Sequence, residues 1–205
     1  MLGKWIVFEG LDGSGTTTQA KLLAQRLHNL AGFTQKVLLT AEPTDGPFGQ
    51  TCKSALHKQI RLHPRTLALA FCADRSNHLH KPGGVLESIQ DGHWVIQDRY
   101  LYSTLAYQDS EDNEWLWQIN AAFPRPDLVV YLETEPGLCL ERIGRRGETR
   151  DLFEDESALE RVAESYRKVF EKESERTTIV TLDGSIPIEV LHECVWEQLK
   201  SWIPS

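Results

Sequence analysis

The chain has 205 residues, a 40% hydrophobic composition and a formal charge of −8, with an isoelectric point near 5.4. That length admits one large domain or two small ones, and the acidic balance weighs against nonspecific nucleic-acid binding, which needs clustered Lys and Arg to release phosphate counterions. Nowhere does an uncharged apolar run reach the roughly 18 residues needed to cross a bilayer, so no membrane partner is expected.

In chain order, the first apolar run, Trp5–Glu9, reads as a buried strand. It leads into Gly10-Leu11-Asp12-Gly13-Ser14-Gly15-Thr16-Thr17-Thr18, after which Thr17–Ala31 sets Ala20, Leu23, Ala24, Leu27 and Ala31 on one helical face. A strand, a Gly10-x4-Gly15 turn and a helix, in that order, have the form of a phosphate-binding P-loop. The glycines let successive N–H groups curl inward, and the helix N-terminus adds its positive dipole end, so Gly10, Gly13, Ser14, Gly15, Thr16, Thr17 and Thr18 are candidate phosphate contacts. Thr17 stands where a hydroxyl would bind magnesium beside the β- and γ-phosphates. Thr16 occupies the place of the usual lysine.

A second strand is expected at Lys36–Thr40, followed by a Pro- and Gly-punctuated segment, Ala41–Gly49, with the character of a site loop. A helix over Arg65–His80 places Phe71 and Arg75 one turn apart on one face, an aromatic beside a guanidinium that suits a planar base. A third strand, Trp94–Gln97, ends at Asp98-Arg99. An acid there can hold magnesium through water, and the arginine can grip a phosphate with its two-pronged head. Strand Leu128–Leu132 follows, then a helix from Pro136 to Arg142, an arginine-rich run Gly144–Asp151, a charged amphipathic helix Glu156–Glu173, strand Thr178–Thr181 and helix Ile188–Trp202. The alternation predicts one α/β domain, residues 1–205, with a parallel sheet covered on both faces. Cys52, Cys72, Cys139 and Cys194 are widely spaced without a CxxC pair, and the N-terminus lacks a secretory signal, so the expected location is cytoplasmic, with free thiols.

Asp98-Arg99-Tyr100-Leu101-Tyr102-Ser103-Thr104-Leu105-Ala106-Tyr107-Gln108 resembles the DRY-x-x-S-x-x-A-Y-Q element of thymidylate kinases. Phe71-Cys72-Ala73-Asp74-Arg75 resembles that family's F-x-A-D-R helix, and Pro126-Asp127-Leu128 its PDL strand. Arg145-Arg146-Gly147-Glu148-Thr149-Arg150 resembles its lid, in the form that carries the arginines there. The likeness runs from Lys4 to about Ser174. It implies a three-layer P-loop nucleoside monophosphate kinase-like fold with a five-stranded parallel sheet, a lid at about 144–155, and a homodimer that transfers phosphate from ATP to dTMP with Mg2+. On this resemblance Phe71 stacks on thymine, Arg75 bonds its edge, Tyr107 lies near the sugar 2′ position, and Asp12 holds the 3′-hydroxyl. Ser103 and Gln108 complete the dTMP site. Arg99 grips the acceptor phosphate, the lid residues Arg145, Arg146 and Arg150 meet the transferred group, and magnesium sits at Thr17 and, through water, at Asp98. The acceptor phosphate is already ionised, so neither Glu9 nor Glu42 is assigned as a general base.

Two positions depart from the family pattern. Thr16 replaces the lysine, and Ala41 replaces an arginine that usually precedes Glu42-Pro43. Each lost charge-assisted contact is worth about 1.5–3 kcal/mol. Three readings remain at this point: an atypical dTMP kinase, a nucleotide-binding homologue with little kinase activity, or a kinase for another nucleoside or nucleoside monophosphate.

Overall fold

Every residue of Trp5–Gly10 (β1) is buried, as a strand must be when it lies mid-sheet with both faces covered. The computed structural model describes residues 3–108, 113–146 and 155–203. In it β1 lies between Trp94–Asp98 (β3) and Leu128–Glu133 (β4), with Val37–Ala41 (β2) and Thr178–Asp183 (β5) outermost, in the order β2-β3-β1-β4-β5. All neighbours run parallel. All the expected strands are present, and each ends one or two residues later than its apolar run, at Gly10, Ala41, Asp98, Glu133 or Asp183. These residues still pair in the ladder, but they lie at the edge of the sheet where the chain turns polar.

Alternation along the strands feeds two cores. Trp5, Val7, Val95 and Val129 point to one side, where they meet Leu101–Tyr107 (α5) and Glu156–Glu173 (α8). Ile6, Phe8, Ile96 and Val130 point to the other, against Thr16–His28 (α1) and Ile188–Leu199 (α9). The result is three layers, with the sheet in the middle. Leu23 and Leu27 are buried as the helical period of α1 requires, but Ala31 is exposed, because α1 stops at His28. Pro136–Arg146 (α7) runs a turn beyond its expected end at Arg142, and α9 yields to a 3-10 turn at Lys200–Trp202. Among the described residues no helix is long and apolar enough to cross a membrane.

The segment after β2 is less open than its composition predicts. Pro47–Leu56 (α2) begins inside it and packs against Pro64–His80 (α3). Asp74 of α3 pins the loop by accepting from both the Thr44 N–H (2.7 Å) and the Thr44 hydroxyl (2.6 Å). Gly49 lies directly over that pinned backbone: a Cβ there would come within 2.1 Å of the Thr44 carbonyl oxygen. Helix propensity favours Ala over Gly by about 1 kcal/mol, yet the clash is with main chain held on two sides and should outweigh it. Gly49→Ala is therefore expected to destabilise the protein by about 2 kcal/mol or more in urea unfolding. A variant as stable as wild type would show that the loop yields freely.

Candidate active site

The strands deliver their C-terminal ends to one edge, where open parallel sheets place ligands. β1 ends at Gly10, and the loop that follows wraps toward α1. Gly13 (φ 87) and Gly15 (φ 103) adopt left-handed backbone that a side chain would strain. Gly13 also presses on α7, where an added Cβ would sit 2.5 Å from the Cys139 carbonyl oxygen. Gly15 is the N-cap of α1. Neither a capping side chain nor an acidic residue occupies the first turn, which leaves its N–H groups to meet an anion. Thr16 is buried within that turn.

The Thr17 hydroxyl, in the first turn of α1, donates to Oδ2 of Asp98 at the end of β3. The other carboxylate oxygen, Oδ1, is buried and has no hydrogen-bond partner among the described residues. An orphaned carboxylate oxygen beside a hydroxyl fits a hard cation that also takes oxygen from phosphate. Among the described residues no group of three or more His, Cys, Asp or Glu could hold a metal alone.

Asp12, Phe71, Arg75, Asp98, Arg99, Ser103, Tyr107 and Gln108, expected on separate motifs, all line one cavity of about 230 Å³. At one end Arg99 has left-handed backbone (φ 67), which costs an arginine about 1–2 kcal/mol. Successive residues of a strand point to opposite faces, but the turn at Arg99 brings its side chain and that of Asp98 to the same loop. Its guanidinium donates to Asp12 Oδ1 (2.6 Å), the Gly10 carbonyl (2.9 Å) and the Ser103 hydroxyl (3.1 Å). The Tyr107 hydroxyl accepts from the Asp12 N–H at 2.9 Å and so ties the loop to α5. The Gln108 Oε1 is buried without a partner among the described residues.

At the other end Arg75 is only 1% exposed. It donates to Glu42 (2.9 Å), Asn120 (2.7 Å) and Thr104 (2.9 Å), and lies beside the rings of Tyr100 and Phe123. Glu42 is also buried, with His78 Nδ1 at 3.1 Å. A charge so enclosed needs this pairing. Its aim across the cavity is fixed before any ligand arrives.

The loop's other flank faces a second cavity, of about 240 Å³, lined in part by Gly15, Thr18, Arg142 and Arg145. Arg142 donates to the Gly184 carbonyl at 2.9 Å, with the Gly13 and Ser14 carbonyls at 3.4 Å. The extra turn of α7 puts Arg145 on the helix, exposed and paired with Glu141, three residues beyond Arg142 on the same flank. The side chain of Arg146, all of Arg150 and most of the expected lid at 144–155 lie outside the described residues. Ala41 is exposed at the end of β2, in register with Asp98, and brings no charge to the acceptor cavity.

Sequence reasoning missed Arg142, Thr104, Asn120 and Tyr166, and it gave Glu9 and Glu42 no role. The i, i+3 spacing of Arg142 and Arg145 was a usable signal for the first. Glu42 stood in a flagged loop. Tyr166 and Asn120 come from distant helices, so no local pattern marks them. Glu9 is fully buried under the loop, where its Oε2 accepts from the hydroxyls of Ser103 (2.6 Å) and Tyr166 (2.9 Å) and its Oε1 from the Tyr100 N–H (2.8 Å). Burial pushes its carboxyl from 4.5 up to about 7, against the opposing pull of Arg99, Ser103, Tyr166 and the Tyr100 N–H.

Comparison with known proteins gives a consistent result. The sequence model of the thymidylate kinase family matches residues 8–195. A thymidylate kinase of Leptospira borgpetersenii is 35% identical over 196 residues, spanning 93% of this chain and 91% of its own. A Pyrococcus abyssi protein bearing the same family name is 37% identical over 207 residues, spanning 98% and 97%. Among solved structures, Ehrlichia chaffeensis thymidylate kinase aligns with a TM-score of 0.73 at 27% identity, over 98% of this chain and 99% of that one. The Candida albicans enzyme shares the fold, with a TM-score of 0.79 at 24% identity over 98% and 92%.

The folded Glu9 carboxyl keeps its proton up to about 7 whereas an ordinary one releases it near 4.5, so the folded chain binds more protons in that window. Stability from this group is therefore present at the acid end and lost as pH rises through the window. Glu9→Gln removes the effect. The stability difference between wild type and variant should move against wild type by about 2 kcal/mol between about pH 5 and about pH 8, in urea unfolding at both. A difference that stays flat with pH would mean that Glu9 is ionised throughout.

Proposed function

The chain belongs to the thymidylate kinase family, and we propose that it converts ATP and dTMP to ADP and dTDP with the residues assembled at this sheet edge. One observation carries the assignment of roles. A single cavity holds a buried, pre-aimed Arg75 beside Phe71 at one end and Arg99 with Asp12 at the other, next to a loop that offers main-chain N–H groups. Phe71 stacks on the thymine and the remaining Arg75 donors meet its edge. Arg99 takes the acceptor phosphate and in doing so gives up part of its hold on Asp12, which turns to the sugar hydroxyl. Tyr107 closes the sugar side. The loop amides from Gly13 to Thr18 seat the donor phosphates, and the second cavity beside Arg142 and Arg145 takes the rest of ATP.

No covalent intermediate and no strong base are required, because the acceptor oxygen is already ionised and positioning with electrostatics does the catalysis. Thr17 and Asp98 would hold magnesium, whose chemistry is to neutralise phosphate charge. Arg145, Arg146 and Arg150 belong to the proposed lid, which excludes water from the transferred group. Four thiols with no disulfide among them suit a reducing, cytoplasmic setting.

The test is a coupled assay of ADP release with dTMP and, in parallel, other nucleoside monophosphates. Turnover with dTMP is expected, and ATP binding without acceptor-dependent ADP would favour a nucleotide-binding protein instead. Because Thr16 leaves the donor phosphates without their usual ammonium, Thr16→Lys should raise kcat by about tenfold. A folded variant with unchanged or lower kcat would show that another cation fills the role already. Asp98→Asn should raise the magnesium concentration for half-maximal rate by about tenfold with little change in thermal stability, and an unshifted requirement would remove Asp98 from the metal's ligands.

A further inference from the structure

β3 encloses a polar side chain, Gln97, in mid-sheet, in register with Val7 of β1 and Thr40 of β2. Burying a primary amide is costly unless its hydrogen-bonding groups are met. Here they are, and the partners lie in unlike places. The Oε1 accepts from Trp5 Nε1 at 3.0 Å. The Nε2 donates to the Arg99 carbonyl at 2.9 Å and to Glu42 Oε1 at 3.3 Å. The two amide hydrogens therefore go to opposite ends of the acceptor cavity. Glu42 is the carboxylate that fixes Arg75 at the base end, and Arg99 is the left-handed residue whose head grips Asp12 at the phosphate end.

The Arg99 carbonyl depends on this side chain. It lies one residue outside the helix, whose first intrahelical acceptor is the Tyr100 carbonyl, so α5 offers it no N–H, and the first-turn Ser103 N–H goes to Glu9 (3.3 Å). The backbone N–H of Arg99 is held on the other side by the Phe8 carbonyl at 2.9 Å. The left-handed turn is thus clamped between a main-chain bond to β1 and a side-chain bond from Gln97, the over-determination that such a backbone requires. An apolar residue would fill the same space in the sheet but could hold neither the carbonyl nor Glu42.

We propose that Gln97 is a positioning residue: a wholly buried strut that fixes the base-end arginine and the phosphate-end arginine at one spacing. It rests on the dTMP kinase reading above. Gln97 touches no substrate; it acts through Glu42 and through the Arg99 backbone, and both ends of the acceptor should feel its loss.

The test compares wild type with Gln97→Leu in titrations of dTMP, of thymidine, which lacks the phosphate, and of ATP. Gln97→Met, unbranched and closer in shape, carries the same test where the leucine variant fails to unfold cooperatively. Expected is a loss of about tenfold in dTMP affinity and about threefold in thymidine affinity, with ATP affinity within about twofold of wild type. Affinities for dTMP and thymidine equal to wild type would overturn the strut, and so would a loss spread equally over ATP, the mark of general loosening. Wild type that binds no dTMP overturns the kinase reading and the strut with it, whereas wild type and variant that bind dTMP alike overturn the strut alone.

Discussion

The left-handed turn at Arg99 is the constraint on which the rest of the site depends. A strand that continued straight would send Asp98 and Arg99 to opposite faces of the sheet, one into each core. The turn instead aims both at the glycine loop, with Asp98 against Thr17 and Arg99 against Gly10 and Asp12. On the proposed roles, an acid that would hold the metal and a cation that would take the acceptor phosphate thereby become neighbours. The sheet supplies the opportunity, since β1 and β3 are paired in register up to Phe8 and Asp98. Without that register the loop and the turn would not share an edge.

Beneath each working arginine lies a buried acid. Glu42 holds Arg75 directly, and Glu9 supports Arg99 at one remove, through Ser103 and Tyr166. The difference has a physical reason. On the proposed roles Arg75 reads a neutral, planar base, so its charge needs a permanent partner, and a buried pair with satisfied hydrogen bonds provides a fixed fork. On the same proposed roles Arg99 receives a dianion. A carboxylate in direct contact would compete with it, and here that contact is left to Asp12, which is partly exposed and can exchange partners. Keeping Glu9 a hydroxyl's length away, in surroundings that disfavour its charge, leaves the guanidinium available.

Much of this was legible in the sequence, and what was not has a common cause. The strands, the main helices and the glycine loop follow from apolar periodicity and from glycine spacing, which are local. The residues of α3 and α5 that line the first cavity were flagged by short motifs that each lie on one element. The strand boundaries were set short because the final residues, Gly10, Ala41, Asp98, Glu133 and Asp183, do not continue the run of large apolar side chains although they still pair in the ladder. Helix α7 was stopped a turn early because its arginines resemble a loop by composition, although Arg142 and Arg145 share a helical flank. Asn120, Tyr166 and the double use of Gln97 are contacts between elements far apart in the chain, and a single sequence carries no signal for such pairings. Even Glu42, flagged by its loop, shows its purpose only when α3 is laid across it.

The two departures from the family's pattern fall on different sides of the reacting group, and their consequences should differ accordingly. At Ala41 the lost guanidinium would have met the acceptor phosphate, whose charge is present in the bound substrate as well as in the transition state. An interaction made equally in both sets affinity more than turnover. On the proposed roles Arg99, already clamped in place, supplies that contact in part. At Thr16 the lost ammonium would have met oxygens on which charge builds as the β–γ bond breaks, so its absence weighs on the chemical step itself. Arg142 commits its Nη1 to the carbonyls of Gly13, Ser14 and Gly184. On the proposed roles, the main-chain amides and a magnesium ion held by Thr17 and Asp98 would take a larger share of that charge.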